Sequence, residues 1–157
     1  MSPERRGGQP QTGAGAAPAG DDDTLVRPVP EPDEHSAAFW DGLRRHRILL
    51  QSCQRCGRRR FPPMPSCPFC GATGGVLVAA TGAGTVYSWV RVHRPLTPAF
   101  GGDVPYTVAT VDLDGGGRVF ARVVPPAGVG IGVRVSPVFV DHDGWTELRF
   151  RPAWPDS

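Results

Sequence analysis

The sequence predicts a mainly β protein that combines a short N-terminal helix, a zinc ribbon and a small five-stranded barrel. Three observations support this fold class. All four cysteines fall within eighteen residues, in two C-x-x-C-G units. Strand-like runs separated by Gly, Pro and Asp fill residues 76–154, and helical spacing of apolar residues occurs in the short stretch before the cysteines. A length of 157 residues suits one compact domain with attachments.

Residues 1–31 predict a disordered tail. They are rich in Gly, Pro, Ala and acidic residues, and they carry almost no large apolar side chain, so they cannot bury enough surface to offset the entropy of ordering. Arg5 and Arg6 are not followed by the apolar stretch of a twin-arginine signal. No run approaches the ~18 apolar residues of a membrane span. We therefore expect a cytoplasmic protein with no membrane association.

Residues 32–50 predict a helix followed by a lead-in strand. Ala37, Trp40 and Leu43 recur at helical spacing after an acidic N-terminal cap. Phe39 and Trp40 together are a large apolar load for so short a helix. They either pack on the rest of the domain or contact a partner protein, and the sequence does not distinguish these two interpretations.

Residues 51–75 predict a zinc ribbon. Its two C-x-x-C-G units contain Cys53, Cys56, Cys67 and Cys70, and each unit directs two thiolates toward one point. Four thiolates complete a closed tetrahedral site that leaves no position for a catalytic water, so the metal is structural. The paired spacing argues against disulfides and against a redox motif. It does not distinguish zinc from iron.

Residues 76–154 predict a barrel of the OB type, with a small β-sandwich as the alternative. Turn residues such as those at 114–117 and 143–144 separate the strand-like runs. Five short strands without a long helix fit a small closed barrel. The predicted strands span 84–93, 105–113, 118–124, 133–140 and 146–151. Alternation along the first strand does not reveal which of its faces points inward.

Charge does not point to one class of partner. The net charge is +2, and all 17 basic residues are arginine. Seven arginines between positions 44 and 60 could meet the phosphates of a nucleic acid or of a cofactor, but they also fit a solvated face. The sequence contains no G-x-S-x-G, no phosphate-binding loop and no cysteine outside the paired units. We therefore expect a chain that is not an enzyme on its own.

Residues 33–152 resemble the zinc-ribbon plus OB-fold acyl-CoA-associated family known as domain of unknown function 35. The resemblance follows several short motifs in order and without large gaps. The matching segments are FWDGL at 39–43, ILLQSC at 48–53, CG at 56–57, FPP at 61–63, CPFCG at 67–71, GTVYS at 84–88, VHRP at 92–95 and VPY at 104–106.

The resemblance implies a rubredoxin-like zinc ribbon and a non-catalytic role beside an acyl-CoA enzyme. Members of this family are partners of thiolase-like enzymes, including an aldolase that cleaves sterol side-chain CoA thioesters. Others accompany MaoC-like hydratases, or bridge two enzymes of acetoacetyl-CoA metabolism in archaea. We expect an accessory subunit with the same kinds of partner in lipid or steroid degradation, and a structural Zn²⁺ on the four cysteines.

CoA contact and partner contact are assigned to two small groups of residues. Arg94, Phe100 and Tyr106 could hold the phosphates and stack the adenine of CoA. Phe39 and Trp40 are the candidate partner contacts. The alternative function is a single-stranded nucleic-acid-binding module, which the fold type alone supports weakly.

Overall fold

The computed structural model describes residues 27–153. Most of the predicted tail, 1–31, lies outside these residues. The elements are helix α1 (Ala37–Arg44), ribbon strands β1 (Leu49–Ser52), β2 (Arg59–Arg60) and β3 (Val76–Ala79), and barrel strands β4 (Gly84–Val92), β5 (Tyr106–Leu113), β6 (Arg118–Val123), β7 (Arg134–His142) and β8 (Trp145–Pro152). A 3₁₀ segment, Pro98–Asp103, connects β4 to β5.

Helix α1 is shorter than its periodicity predicts at both ends. Asp33 accepts hydrogen bonds from the backbone N–H groups of His35 and Ser36, and these bonds cap an initial turn rather than the helix itself. At the other end His46 has a φ of 54°, and the N–H of Arg47 returns to the carbonyl of Gly42. This left-handed residue ends the helix and turns the chain into β1.

Two sheets follow the helix. The ribbon sheet has the order β2-β1-β3, and the barrel closes in the order β4-β5-β6-β8-β7. Strands β6 and β8 are not consecutive in the sequence, and they pair in parallel. A parallel pair at this point is usual for an OB barrel. The mainly β fold class, with one N-terminal helix and a five-stranded barrel, is confirmed.

The ribbon sheet extends past residue 75, where the predicted zinc ribbon ends and the predicted barrel begins. Strand β3 pairs antiparallel with β1 from Leu49 to Ser52, so residues 76–79 extend the ribbon sheet before the chain enters the barrel. The domain bounds 32–50, 51–75 and 76–154 stay a proposal.

A β-bulge in β4 changes the face that its side chains occupy. Val86 pairs with Val111 and Ser88 pairs with the preceding residue of β5, so Tyr87 is the inserted residue. Beyond the bulge Trp89 shares the face of fully buried Ala109, whereas alternation from Val86 would have placed it on the other face. A single alternating pattern therefore could not describe this strand.

One apolar core joins the barrel to the helix and the ribbon. It includes Phe150 from β8, Val111 from β5, Leu43 from α1, and Ile48 and Leu50 from the ribbon, all at most 2% exposed. Helix α1 packs on β8 and β1, so it contacts both the barrel and the ribbon. Within 27–153, no helix is long and apolar enough to cross a membrane.

Candidate metal centre and aromatic groove

Two similar knuckles carry the four cysteines. In the first, the N–H of Gly57 donates to the carbonyl of Cys53 at 2.8 Å; in the second, the N–H of Gly71 donates to the carbonyl of Cys67 at 2.9 Å. The two glycines have φ values of 71° and 73°. Residues with side chains rarely adopt this conformation, so the glycine after each C-x-x-C unit permits the turn.

The four sulfur atoms form one cluster. Sγ of Cys53 lies 3.6 Å from Sγ of Cys70, and Sγ of Cys56 lies 3.7 Å from Sγ of Cys67. All four lie within 4.8 Å of one another. Tetrahedral Zn–S bonds of ~2.3 Å place neighbouring sulfurs ~3.8 Å apart, whereas a disulfide needs ~2.05 Å. The donor set therefore fits a tetrahedral thiolate-bound Zn²⁺.

The thiols of this cluster differ in their affinity for protons. The backbone N–H of Cys56 is the main group that lowers the pKa of the Cys53 thiol to about 6. The pKa of the Cys70 thiol is raised to about 11: a hydrogen bond from the N–H of Ala72 lowers it, but burial and the three neighbouring sulfurs outweigh that bond. Four adjacent thiolates consequently require a bound cation, which is the chemistry that Zn²⁺ supplies.

Helix, ribbon and barrel meet at a groove, here called the aromatic groove, with a volume of about 400 Å³. Its lining is predominantly apolar and comes from all three parts of the fold. The lining residues are Phe39, Trp40, Leu43, Phe61, Val108, Val119, Phe120, Ala121, Arg122, Trp145, Glu147 and Leu148.

Aromatic contacts hold the walls of the groove together. The ring of Phe61, from the ribbon, lies 4.8 Å from that of Phe39 and 5.2 Å from that of Phe120 on β6. Trp40 contacts Trp145 of the barrel edge-on at 6.4 Å. Phe39 is 5% exposed and belongs to the core, so the helix packs on its own domain. The partner contact predicted for Phe39 and Trp40 stays a prediction, restricted to the surface they present to the groove.

The predicted CoA-contact residues are brought together only in part. The rings of Phe100 and Tyr106 lie 6.4 Å apart, whereas Arg94 is exposed and makes no cation–π or ion-pair contact with the described residues. The guanidinium of Arg27 lies 5.6 Å from the Phe100 ring, and that of Arg122 lies 4.7 Å from the Tyr106 ring. These two arginines therefore occupy the position expected of Arg94.

Asp103 joins the two arginines. It accepts hydrogen bonds from Arg27 and from Arg122, each at 2.8 Å. The two guanidinium groups hold the pKa of the Asp103 carboxyl below its usual range. Any phosphate bound here would compete with this carboxylate for the same donors.

A second ion-pair network lies at the rim of the groove. Glu147 accepts a hydrogen bond from Arg149 at 2.7 Å and lies 3.3 Å from Nε2 of His142. Burial is the largest single effect on the Glu147 carboxyl and raises its pKa, but the hydrogen bond and charge of Arg149, together with His142 and Arg122, leave that pKa lowered. Among residues 27–153, no histidine shares a side-chain hydrogen bond with a serine, threonine or cysteine. The described residues thus contain no hydroxyl or thiol nucleophile that is paired with a histidine base.

Sequence reasoning missed most of the groove. Phe61, Phe120 and Trp145 come from three distant segments, and only the folded chain brings them together. The sequence pattern could have indicated Phe120 as a surface residue, because it lies between Arg118 and Arg122 on the outward face of an alternating strand. An aromatic residue with 57% exposure on such a face is a common feature of binding surfaces.

Comparison with known proteins agrees with this architecture. The chain matches the model described as "ChsH2, rubredoxin-like zinc ribbon domain" over residues 40–74 and the model described as "ChsH2, C-terminal OB-fold domain" over residues 77–140. Because the clustered cysteines lie within the zinc-ribbon match, the prediction of a structural zinc is confirmed.

Two of the relatives illustrate different kinds of protein. The chain is 36% identical over 135 residues to the "Probable enoyl-CoA hydratase alpha subunit" of Thermomonospora curvata, covering 84% of this chain but 42% of that protein. It is 33% identical over 98 residues to a "DUF35 domain-containing scaffold protein" of Methanothermobacter thermautotrophicus, covering 60% of this chain and 73% of that protein.

A solved structure also matches most of this chain. A chain of the "Ltp2-ChsH2(DUF35) aldolase" structure is 35% identical, with a TM-score of 0.69 over 80% of this chain and 100% of that one. The two domain matches, the scaffold-protein relative and this structure agree with the resemblance of residues 33–152. The chain belongs to the DUF35 family of proteins that join a zinc ribbon to an OB-fold domain.

Proposed function

We propose that this chain is a non-catalytic accessory subunit of an acyl-CoA enzyme, either a thiolase-fold aldolase or a MaoC-like hydratase. The observation that carries the proposal is the aromatic groove, an exposed apolar surface built from helix, ribbon and barrel. Relatives named as a scaffold protein, a hydratase alpha subunit and part of an aldolase complex support it. The chain spans 42% of the length of the hydratase relative, so that protein's activity is not assigned to this chain.

In this proposal Cys53, Cys56, Cys67 and Cys70 hold one Zn²⁺ with a structural role. Four thiolates satisfy the metal and leave no position for substrate or water. The bound metal would fix the two knuckles, and through them strand β2 and the adjoining Phe61, which forms one wall of the groove. The zinc site thereby supports the partner surface without taking part in the reaction.

The enzyme partner would supply the nucleophile and the acid–base groups. In the described residues His46 lies 3.0 Å from a carboxylate oxygen of Asp141, and His142 pairs with Glu147. Both histidines also stack on aromatic rings, Phe139 and Trp145 respectively. These contacts describe structural histidines rather than a general base beside a nucleophile.

Direct contact with CoA is a finer part of the same proposal. Phe100 and Tyr106 would stack the adenine, and Arg27 and Arg122 would bind its phosphates after releasing Asp103. Replacing Arg122 by Gln should then weaken the affinity of the assembled complex for acyl-CoA. An equal loss of affinity with Arg94→Ala would support the contact predicted for Arg94 from the sequence. No loss with Arg122→Gln would remove Arg122 from the proposed CoA site.

The nucleic-acid alternative has one favourable observation. The guanidinium of Arg118 lies 3.5 Å from the ring of Tyr87, which is 53% exposed, so a planar cation and an aromatic ring share an accessible surface. The charge of Arg118 is, however, neutralised by a bidentate ion pair with Asp112. Binding of a single-stranded oligonucleotide that weakens steeply with salt would favour this alternative.

Reconstitution tests the accessory role. The chain would be co-expressed with each thiolase-fold and each MaoC-like subunit encoded in its genome, and the purified complexes analysed by light scattering and acyl-CoA turnover. We expect one of these subunits to form a stable complex and to be active only with this chain present. Turnover by this chain alone, or full activity of every candidate enzyme without it, would contradict the proposal.

A further inference from the structure

Strand β3 has one free edge. The N–H of Ala80 donates to the carbonyl of Ile48 at 2.9 Å, immediately beyond the β1–β3 ladder. In an antiparallel ladder, hydrogen-bonded pairs alternate with non-bonded pairs, so Val78 and Val76 also face β1 with their backbone groups. The N–H and C=O groups of Leu77 and Ala79 therefore point away from β1. Among residues 27–153, no strand pairs with this edge.

Apart from its short length of four residues, this edge lacks the features that usually protect a free strand. Residues 71–84 contain no charged residue and no proline. Val76 is 45% exposed and Leu77 is 42% exposed, although both lie in a regular strand. Natural edge strands are normally blocked by a charge, a proline or a bulge, because unpaired backbone groups recruit other strands. An unblocked apolar edge is consistent with a surface that another strand covers.

The overall charge of the ribbon and its flanking segments indicates the charge of that strand. Residues 42–102 include nine arginines and no aspartate or glutamate. A second copy of this chain would bring two ribbons with the same excess of arginine together. A strand from another protein with acidic residues at its ends would be attracted instead.

We propose that β3 binds an extended, acid-flanked strand of the partner enzyme subunit, which adds to the ribbon sheet as a fourth strand. This inference rests on the accessory role proposed above and names the mode of contact. The added strand pairs its backbone with Leu77 and Ala79. Its side chains contact the exposed faces of Val76 and Leu77, and its acidic ends are attracted by the excess positive charge of the ribbon as a whole.

Hydrogen exchange measured by NMR tests this contact at single amides. In the free chain the amide protons of Leu77 and Ala79 should exchange rapidly, while those of Val76 and Val78 are protected by β1. In the complex with the co-expressed partner subunit, Leu77 and Ala79 should become protected by at least about tenfold. A stable complex in which both amides keep their free exchange rates would overturn this inference while leaving the accessory role intact.

Two pairs of variants at one position separate backbone from side-chain effects. Leu77→Pro removes a free N–H, and we expect it to weaken the complex by about tenfold more than Leu77→Ala does. Leu77→Glu should weaken the complex more than Leu77→Lys. Zinc content and thermal unfolding of each variant show whether the ribbon remains folded. Equal affinities for the proline and alanine variants, both folded, would overturn the strand-addition mode.

Synthetic peptides make the test independent of the enzyme partner. The probes are acetyl-EVTVTE-amide and acetyl-KVTVTK-amide, which differ only in their terminal charges. The acidic peptide should shift the amide resonances of Leu77 and Ala79 at lower concentration than the basic peptide. If no partner subunit assembles, the accessory role fails. If neither peptide affects these amides, or both do so equally, the strand-addition inference fails.

Discussion

Phe61 of the ribbon packs edge-on against Phe120 of barrel strand β6, with ring centroids 5.2 Å apart. Phe61 also contacts Phe39 of the helix, so one ring joins all three parts of the fold. This relationship explains how a metal site without catalytic chemistry can matter for function. The knuckles fix the ribbon, the ribbon positions Phe61, and Phe61 forms a wall of the aromatic groove.

Truncation of Phe39 should destabilise the domain strongly. The side chain is 5% exposed and lies between helix, ribbon and barrel. Phe39→Ala should lower the free energy of unfolding by about 3–5 kcal/mol, measured by urea titration. Phe69→Ala is the matched control, because Phe69 is 55% exposed, and it should cost below about 1 kcal/mol. Equal costs for the two variants would contradict the burial assigned to Phe39.

Loss of one thiolate should remove the metal. We expect metal analysis of the purified chain to return zinc, and Cys70→Ser or chelation to release it and unfold the ribbon. Binding of a structural zinc is worth about 10–16 kcal/mol in isolated zinc-finger peptides, so the loss is not a local perturbation. The variant Ser66→Ala, beside the second knuckle but without a thiolate, should retain zinc. Iron in place of zinc would contradict the identity of the metal, and a Cys70→Ser variant with unchanged affinity for the partner would contradict its structural role.

The ion pairs of Asp103 predict a dependence of stability on pH. The carboxyl has a lowered pKa because Arg27 and Arg122 donate to it. Its contribution is therefore complete above the ordinary aspartate pKa of about 3.9 and is lost as the pH falls through the lower folded-state pKa. The urea midpoint of Asp103→Asn should lie below that of the wild type at pH 6, and the difference should shrink toward pH 2. A difference that stays constant with pH would exclude this linkage.

A methyl group at Gly84 should disturb the start of the barrel. A Cβ at this position would meet the carbonyl oxygen of Asp112 and lie 2.7 Å from Cγ1 of Val111. Gly84→Ala should therefore cost about 1–3 kcal/mol of stability, by thermal or urea unfolding. Gly101→Ala is the control, since nothing lies within 4 Å of its added Cβ. A fully stable Gly84→Ala variant would show that the two strands are further apart than described.

Local patterns predicted the fold where the signal is contained in a few neighbouring residues. The C-x-x-C-G units specified the knuckles, because the glycine after each unit adopts the conformation that the turn needs. The barrel strands followed from alternation and turn residues. The bulge at Tyr87 was not predictable in this way, since it appears only as a shift in pairing with β5.

Contacts between distant segments set the limit of the sequence analysis. Arg94 is close to Phe100 along the chain, yet Arg27 and Arg122 are the arginines beside Phe100 and Tyr106. The aromatic groove likewise depends on how helix, ribbon and barrel pack. Family resemblance supplied the functional context that neither periodicity nor spacing contains.

The proposed accessory role requires the aromatic groove to be a surface that binds the enzyme partner. Phe120 is 57% exposed in the groove, and Ile131, at 77% exposure, does not line it. Both residues can therefore be replaced by Asp without opening the core, and thermal unfolding would verify that the variants remain folded.

The most direct measurement is the dissociation constant of the reconstituted complex for these two variants, determined by titration calorimetry. We expect Phe120→Asp to weaken the complex by at least about a hundredfold, as loss of a central aromatic contact does, and Ile131→Asp to bind like the wild type. Unchanged affinity for a folded Phe120→Asp variant would contradict a partner-binding role of the aromatic groove.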